Sequence, residues 1–414
     1  MTSRLARPHF GRQSDLRSRS LLKDQEVDTP TPTSIVEPAA KRIFFPNLDG
    51  WRFLAFAGVF YFHSFSTELA YIKDDPTYKF LKGTTRGGEL GVDFFFVLSG
   101  FLIVYLLINE KQLTGKISVK KFYIRRILRI FPLYYFCVFF GFILFPFFKA
   151  LLGGVPDENA HWLYYVTFLA NIDIYNNVAL PDAGLLGILW SVAIEEQFYL
   201  TVPFILLVVP VRYYKWVFLG VLVLSWLLRS QVYENWYFLK FHTFASVGNL
   251  AIGGLIAYYS ATSERFIKAI EDLNPWLIRL TYLAVIVIYF LRDEIFAYPP
   301  MHIFDTSIIA GLFAVIILEQ NYARRSDFKM KNNAFFTRWG KYTYGLYCLH
   351  MLAAIVVLQI TGKLGLNRHL WEVILLETPI MFGCSLLFAY LSYTFYEGPF
   401  LKLKARFAVF EKAA

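Results

Sequence analysis

Ten stretches of this chain stay apolar long enough to cross about 30 Å of hydrocarbon. They lie at about 46–66, 89–108, 127–148, 185–209, 216–230, 244–260, 277–291, 303–320, 342–361 and 371–396. The pattern predicts an all-α polytopic transmembrane helical bundle of about ten spanning helices. One further stretch, 161–180 (HWLYYVTFLANIDIYNNVAL), is aromatic but interrupted by polar residues. It reads as an interfacial or re-entrant element.

The polar positions between these stretches give an orientation. With the N-terminus inside, the inner loops carry Lys111, Lys116, Lys120, Lys121, Arg125 and Arg126, then Arg212 and Lys215, then Arg265 and Lys268. A further inner run holds Arg324, Arg325, Lys329, Lys331, Arg338 and Lys341, and Lys402, Lys404, Arg406 and Lys412 follow near the C-terminus. One outer loop holds Lys73, Lys79, Lys82 and Arg86, and the rest hold one or two bases. Positive residues concentrate on the cytoplasmic side of membrane proteins, so both termini are expected inside. A spanning 161–180 would make the count odd and invert half of that pattern.

Composition supports this reading. Of 414 residues, 57% are hydrophobic and 17% charged, where a soluble domain carries roughly a quarter charged. The net charge of +10 would suggest nucleic acid in a soluble chain. Here the bases sit between apolar runs and report membrane topology, so membrane lipids are the expected surroundings and no nucleic acid is. Cys137, Cys348 and Cys384 lie in apolar runs without metal-ligand or disulfide spacing; no metal is expected. Residues 1–42 are polar, with Arg4, Arg7, Arg12, Arg17, Arg19 and Lys23 ahead of a TPTPTS stretch and no apolar signal-peptide core. They read as a disordered basic tail, solvated or touching anionic headgroups. A membrane domain is expected over 43–400 and a cytoplasmic C-tail over 401–414.

Ionisable residues inside a bilayer are costly and usually functional. The first span, LDGWRFLAFAGVFYFHSF, holds Asp49, Arg52 and His63. Arg52 and His63 are eleven positions apart, so they share one helix face at depths roughly 16 Å apart. The second span runs back inward and places Asp93 at a depth comparable to His63. Asp93 either caps its helix start or orients the imidazole. LLGILWSVAIEEQFYLTVPF puts Glu195 and Glu196 in mid-membrane, with Ser191, Glu195 and Tyr199 along one face. KKFYIRRILRIFPLYY starts a basic helix with Arg125, Arg126 and Arg129. These arginines suit a phosphate-bearing ligand from the cytosol, or they anchor topology by snorkelling to headgroups. YTYGLYCLHM places His350 in a span, lining the same cavity or hydrogen-bonded internally. Glu397, in TFYEGPF, is expected to pair with an inner-surface arginine.

Five strings in order, LDGWRFLAFAGVFYFH, GVDFFFVLSGFLI, RRILRIFPLYY, LWSVAIEEQFY and the endings LYCLH and YEGP, resemble the acyltransferase 3 family of integral membrane acyltransferases over about 46–400. The resemblance implies transfer of an acyl group, usually acetyl from acetyl-CoA, to a hydroxyl of a cell-surface carbohydrate or glycolipid, in a bacterial plasma membrane. Acyl-CoA would be a co-substrate, with no tightly bound cofactor. The family's histidine carries over to His63, its arginine to Arg52, its glutamate to Glu195 beside Glu196, and its RxxR motif to Arg126 and Arg129. The catalytic set is then His63 as general base with Asp93 or Glu195 orienting it. Arg52, Arg125, Arg126 and Arg129 would hold the donor, and Ser191, Glu196, Tyr199 and His350 would face the acceptor. Many relatives append a soluble hydrolase-like domain; this chain stops soon after Glu397 and is expected to present the acyl group itself. A membrane transporter or flippase for an envelope glycan intermediate is the alternative, and a structural partner in glycan assembly a third. A homo-oligomer is compatible with all of these.

Overall fold

The computed structural model describes residues 45–407; the expected tail over 1–42 and the positions from 408 onward lie outside them. Every regular element among the described residues is helical. Helix α1 (Pro46–Phe62) opens on a proline, whose fixed φ suits the first turn, and carries Asp49 where the helix dipole favours an acid. His63 caps its far end. Two short helices, Ala70–Lys73 and Pro76–Thr85, and a 3₁₀ turn at Arg86–Glu89 lead into α2 (Leu90–Thr114), which ends on left-handed Gly115.

The remaining long helices are α3 (Val119–Phe139), α4 (Leu189–Val208), α5 (Tyr214–Gln231), α6 (Thr243–Thr262), α7 (Pro275–Ile295), α8 (Asp305–Tyr322), α9 (Thr343–Leu364) and α10 (Thr378–Leu391). Two of them are extended by π turns. α3 continues through Phe140–Leu144 into Phe145–Leu151, and α10 is flanked by Glu372–Glu377 and Ser392–Glu397 and followed by Gly398–Ala405.

Eight of these stretches are long and apolar enough to cross a bilayer. The other two expected spans are helical but shorter or more polar: α1 has 17 residues, and α8 carries Glu319, Gln320 and Asn321 in its last turn. Helix α7 shows what surrounds the bundle. Its Leu277, Leu280, Leu283, Ile286 and Phe290 are exposed, a continuous apolar stripe that is stable only against hydrocarbon. The chain is a multi-pass membrane protein.

The segment 161–180 does not span. It forms Trp162–Val166 and Ala170–Asn177, broken where Phe168 adopts a left-handed φ of 57°. That strained residue is held by its ring, 4.3 Å from Tyr134 and 4.9 Å from Phe131. Gln197 of α4 also donates to the Phe168 carbonyl and to Asn171 Oδ1, both at 2.8 Å.

At the centre α6 packs against α2 and α5. Gly100 of α2 and Gly253 of α6 make the first contact close. A methyl on Gly253 would overlap the Val97 carbonyl, and one on Gly100 the Leu250 carbonyl. Small residues at membrane-helix crossings allow such backbone approach, which replaces the hydrophobic drive missing between helices in lipid.

Candidate active site

Helix α1 is the spine of the site because it carries ionisable groups near both ends. At its start Arg52 donates to Asp49 Oδ1 at 2.5 Å and remains about one-third exposed. The helix is seated there by Ala334–Gly340, whose Gly340 lies against the Asp49 backbone with no room for a side chain. At its far end stands His63, on the same face and roughly 16 Å away.

Helix α3 adds cations at the Arg52 end. Arg126 and Arg129 are both electrostatic neighbours of Arg52. The Arg126 guanidinium lies 5.2 Å from the Tyr199 ring centre and 5.6 Å from that of Phe122. Arg129 lies 5.9 Å from the Tyr344 ring. Stacking on aromatics orients a guanidinium while leaving its donors free. Arg125 departs from this cluster. It points to Glu110 (3.5 Å) and the Phe407 carbonyl (3.1 Å), because its position on α3 faces the α2–α3 corner. Glu397 accepts from Ser392 at 3.1 Å and has Arg129 as an electrostatic neighbour, without forming an ion pair.

Midway along the bundle Glu195 uses both oxygens. Oε1 accepts from Ser99 and Oε2 from Tyr199, each at 2.9 Å, and Arg126 and Arg52 are its charged neighbours. Ser191, one turn along, shares a 2.6 Å hydrogen bond with the Tyr347 hydroxyl. Glu196 turns away, as adjacent helical positions must. Its charged neighbours are Arg126 and Glu195, and its buried Oε1 is unpartnered.

At the far end His63 stands beside His350, their ring centres 5.3 Å apart. Lys82 and Lys240 are its other electrostatic neighbours. Neither expected carboxylate reaches it. Asp93 accepts from Asn249 at 2.8 Å and has Arg292 and Glu89 as charged neighbours, and Glu195 is committed to Ser99 and Tyr199. Both carboxylates sit on other helices, and matching depth says nothing about which way around a helix a side chain points.

The structure thus collects Arg52, Arg126, Arg129, Tyr199, Glu195, Ser191, His350 and His63 into one polar column walled by α1, α2, α3, α4 and α9. It leaves Arg125 and Asp93 outside and Glu196 at the edge. Two residues hydrogen-bonded to members of the column, Ser99 to Glu195 and Tyr347 to Ser191, escaped sequence reasoning. Ser99 lies in the VLSGFLI stretch with no charge to mark it, and Tyr347 sits three residues before His350, where its spacing on that helix was the available signal. A largely apolar cavity of about 410 Å³ beside α1, lined by Trp51, Gly58, Tyr61, Phe94 and Tyr289, borders the column without including its polar groups. No cluster among the described residues is arranged to hold a metal ion.

Comparison with known proteins adds to this geometry. The acyltransferase 3 family model, described as an acyltransferase domain, matches residues 45–394. The O-acetyltransferase OatA of Staphylococcus aureus (strain NCTC 8325) is 36% identical over 169 residues, covering 39% of this chain and 25% of its own. The peptidoglycan O-acetyltransferase OatA of Listeria monocytogenes is 34% identical over 182 residues, or 42% and 26% of the two chains. A third relative, from Staphylococcus aureus (strain COL), aligns over 389 residues at 26% identity, covering 87% of this chain and 58% of its own. The matched part is about a quarter of the length of the first two curated relatives. No solved structure matches the chain.

Proposed function

This chain belongs to the acyltransferase 3 family, and we propose that it is an O-acyltransferase that moves an acyl group, most simply acetyl, from acyl-CoA to a hydroxyl of a cell-envelope carbohydrate or glycolipid. The observation that carries the reading is the polar column, with three arginines at one end of α1 and two facing imidazoles toward the other. The donor is polyanionic, and guanidinium groups bind phosphates in paired, charge-assisted hydrogen bonds. Arg52, Arg126 and Arg129 are offered to it. Arg125, paired to Glu110, is not. The 16 Å offset along α1 is on the scale of the pantetheine arm that joins the phosphates to the thioester.

The acceptor hydroxyl then attacks the thioester carbonyl while His63 takes its proton. The tetrahedral intermediate collapses, breaking the carbon–sulfur bond, and the departing thiolate receives the proton from His63. General base catalysis of this kind contributes about 10²–10⁴ in rate; holding both substrates in register supplies a further part. Asp49 pairs with Arg52, and Glu195, neighbour to Arg126 and Arg52 and hydrogen-bonded at both oxygens, adds a second carboxyl group beside the guanidinium array before the donor arrives. One relative is called a peptidoglycan O-acetyltransferase, which supports a peptidoglycan sugar as the first acceptor to try.

The test uses purified full chain in lipid nanodiscs, radiolabelled acetyl-CoA and solubilised peptidoglycan fragments. Label should appear in the fragments with wild type and fall by about 10²-fold or more with His63→Ala. Arg52→Ala should weaken acetyl-CoA binding by about tenfold, the loss of one charge-assisted contact. Full transfer by a folded His63→Ala protein would overturn the role of His63, and no acetyl-CoA binding by folded wild type would overturn the donor.

A further inference from the structure

We propose that His350 is the residue that positions His63 for proton abstraction. The inference rests on the acyl-transfer reading above and changes one part of it, since the two carboxylates suited to that role are engaged elsewhere.

His350 is 1% exposed in α9, and its Nδ1 lies 2.7 Å from the Tyr347 carbonyl oxygen. A carbonyl oxygen only accepts, so Nδ1 carries the proton and Nε2 presents a bare lone pair. That Nε2 is buried and has no hydrogen-bond partner. Leaving a buried acceptor unpaired is costly, and such a group in a close-packed bundle calls for a donor. The His63 ring is 5.3 Å away, tilted by 48°. No side-chain hydrogen bond engages either of its nitrogens among the described residues. A rotation of the His63 ring about its Cβ–Cγ bond aims one N–H at His350 Nε2. The opposite nitrogen is then left unprotonated and free to receive the acceptor's proton. Catalytic hydrogen bonds are often long in the unliganded protein and tighten only with substrate in place.

The surroundings hold His350 in this orientation. Phe56 packs edge-on to it at 5.9 Å. One turn away, the Tyr347 hydroxyl is tied to Ser191 at 2.6 Å, which couples α9 to α4. A neutral imidazole also differs from a carboxylate in effect. It selects the tautomer of His63 without bringing a second ionised group into the apolar bundle; the charged neighbours of His63 are Lys82 and Lys240. His350 touches neither substrate in this scheme and acts through His63.

The same nanodisc assay tests this with His350→Leu and His350→Gln, the glutamine offering a carbonyl oxygen near the place of Nε2. His350→Leu should lower kcat about 10²-fold or more while the acceptor KM stays within about threefold, because only the reactive tautomer is lost. His350→Gln should recover at least about tenfold of that loss, with thermal midpoints confirming that the variants fold. A folded His350→Leu with kcat within about threefold of wild type overturns the proposal, as does a folded His350→Gln as inactive as His63→Ala. Should neither variant fold, ¹⁵N spectra of histidine-labelled wild type decide: a single neutral tautomer at His63 supports the proposal and a mixture overturns it. Wild type that transfers no label would instead defeat the acyl-transfer reading.

Discussion

Arg125 and Arg126 are consecutive in the chain and serve different ends of the molecule's economy of charge. Arg125 faces Glu110, which is 2% exposed and also accepts from the Ser118 backbone N–H at 2.7 Å; together they pin the corner between α2 and α3. Arg126 faces the column. Arg125→Ala should therefore cost roughly 1–3 kcal/mol of stability, less than a fully buried pair because the partners stand 3.5 Å apart and Arg125 is partly exposed, and leave acetyl-CoA affinity within about twofold. Arg126→Ala should weaken that affinity about tenfold with little change in thermal midpoint. Titration calorimetry beside thermal unfolding separates the two. The pairing of Arg52 with His63 was legible in sequence because both lie on one helix, where spacing alone sets face and depth. The partner of His63 was not. Asp93, Glu195 and His350 all approach from other helices, and their azimuth depends on crossing geometry that hydropathy does not encode.

Helix identity was legible for the same reason that helix faces were: a span is a local property of some twenty consecutive residues. What escaped were the departures from regular helix, the π turns at Phe140–Leu144, Glu372–Glu377 and Ser392–Glu397 and the break at Phe168. The break at Phe168 answers to tertiary partners, Gln197 and Tyr134. The α2–α6 crossing is also tertiary, and it depends on two glycines that look unremarkable in the sequence. Gly253→Ala forces a methyl onto the Val97 carbonyl. Since α2 carries Ser99 and Asp93 and packs on α6 through this contact, the two helices must separate by some tenths of an ångström. The expected cost is about 1–3 kcal/mol, read as a lower thermal midpoint, with activity falling more than stability because Ser99 is carried away from Glu195. Gly220, on α5 with nothing near its added methyl, is the control: alanine there should leave both readings within error.

At the scale of the whole molecule, contacts between loops sort the chain into two ends. Lys111 of α2 donates to the Leu206 and Val209 carbonyls at the end of α4, Arg324 pairs with Glu271, and Arg125 reaches the Phe407 carbonyl. At the opposite end Glu89 pairs with both Lys240 and Arg292, and the Tyr71 hydroxyl donates to the Arg368 carbonyl at 2.6 Å. The first set gathers the loops after α2, α4, α6 and α8 together with the C-terminal helix. The second gathers those after α1, α5, α7 and α9. That alternation is the one expected if α1 and α8 cross as well, despite their length and polarity, since omitting either would bring loops from opposite ends together. The lysine and arginine excess belongs to the first end, which the positive-inside rule assigns to the cytoplasm and which also holds Arg52, Arg126 and Arg129, where a cytosolic donor would enter. In a background with the three native cysteines replaced, Lys116→Cys, Lys215→Cys and Ser326→Cys should resist a membrane-impermeant thiol reagent in intact cells and react after permeabilisation. Asp75→Cys, Glu234→Cys and Arg368→Cys should react at once. Labelling of Asp75→Cys and Lys116→Cys from the same side would remove α2 as a span and with it the placement of donor and acceptor at opposite ends of one column.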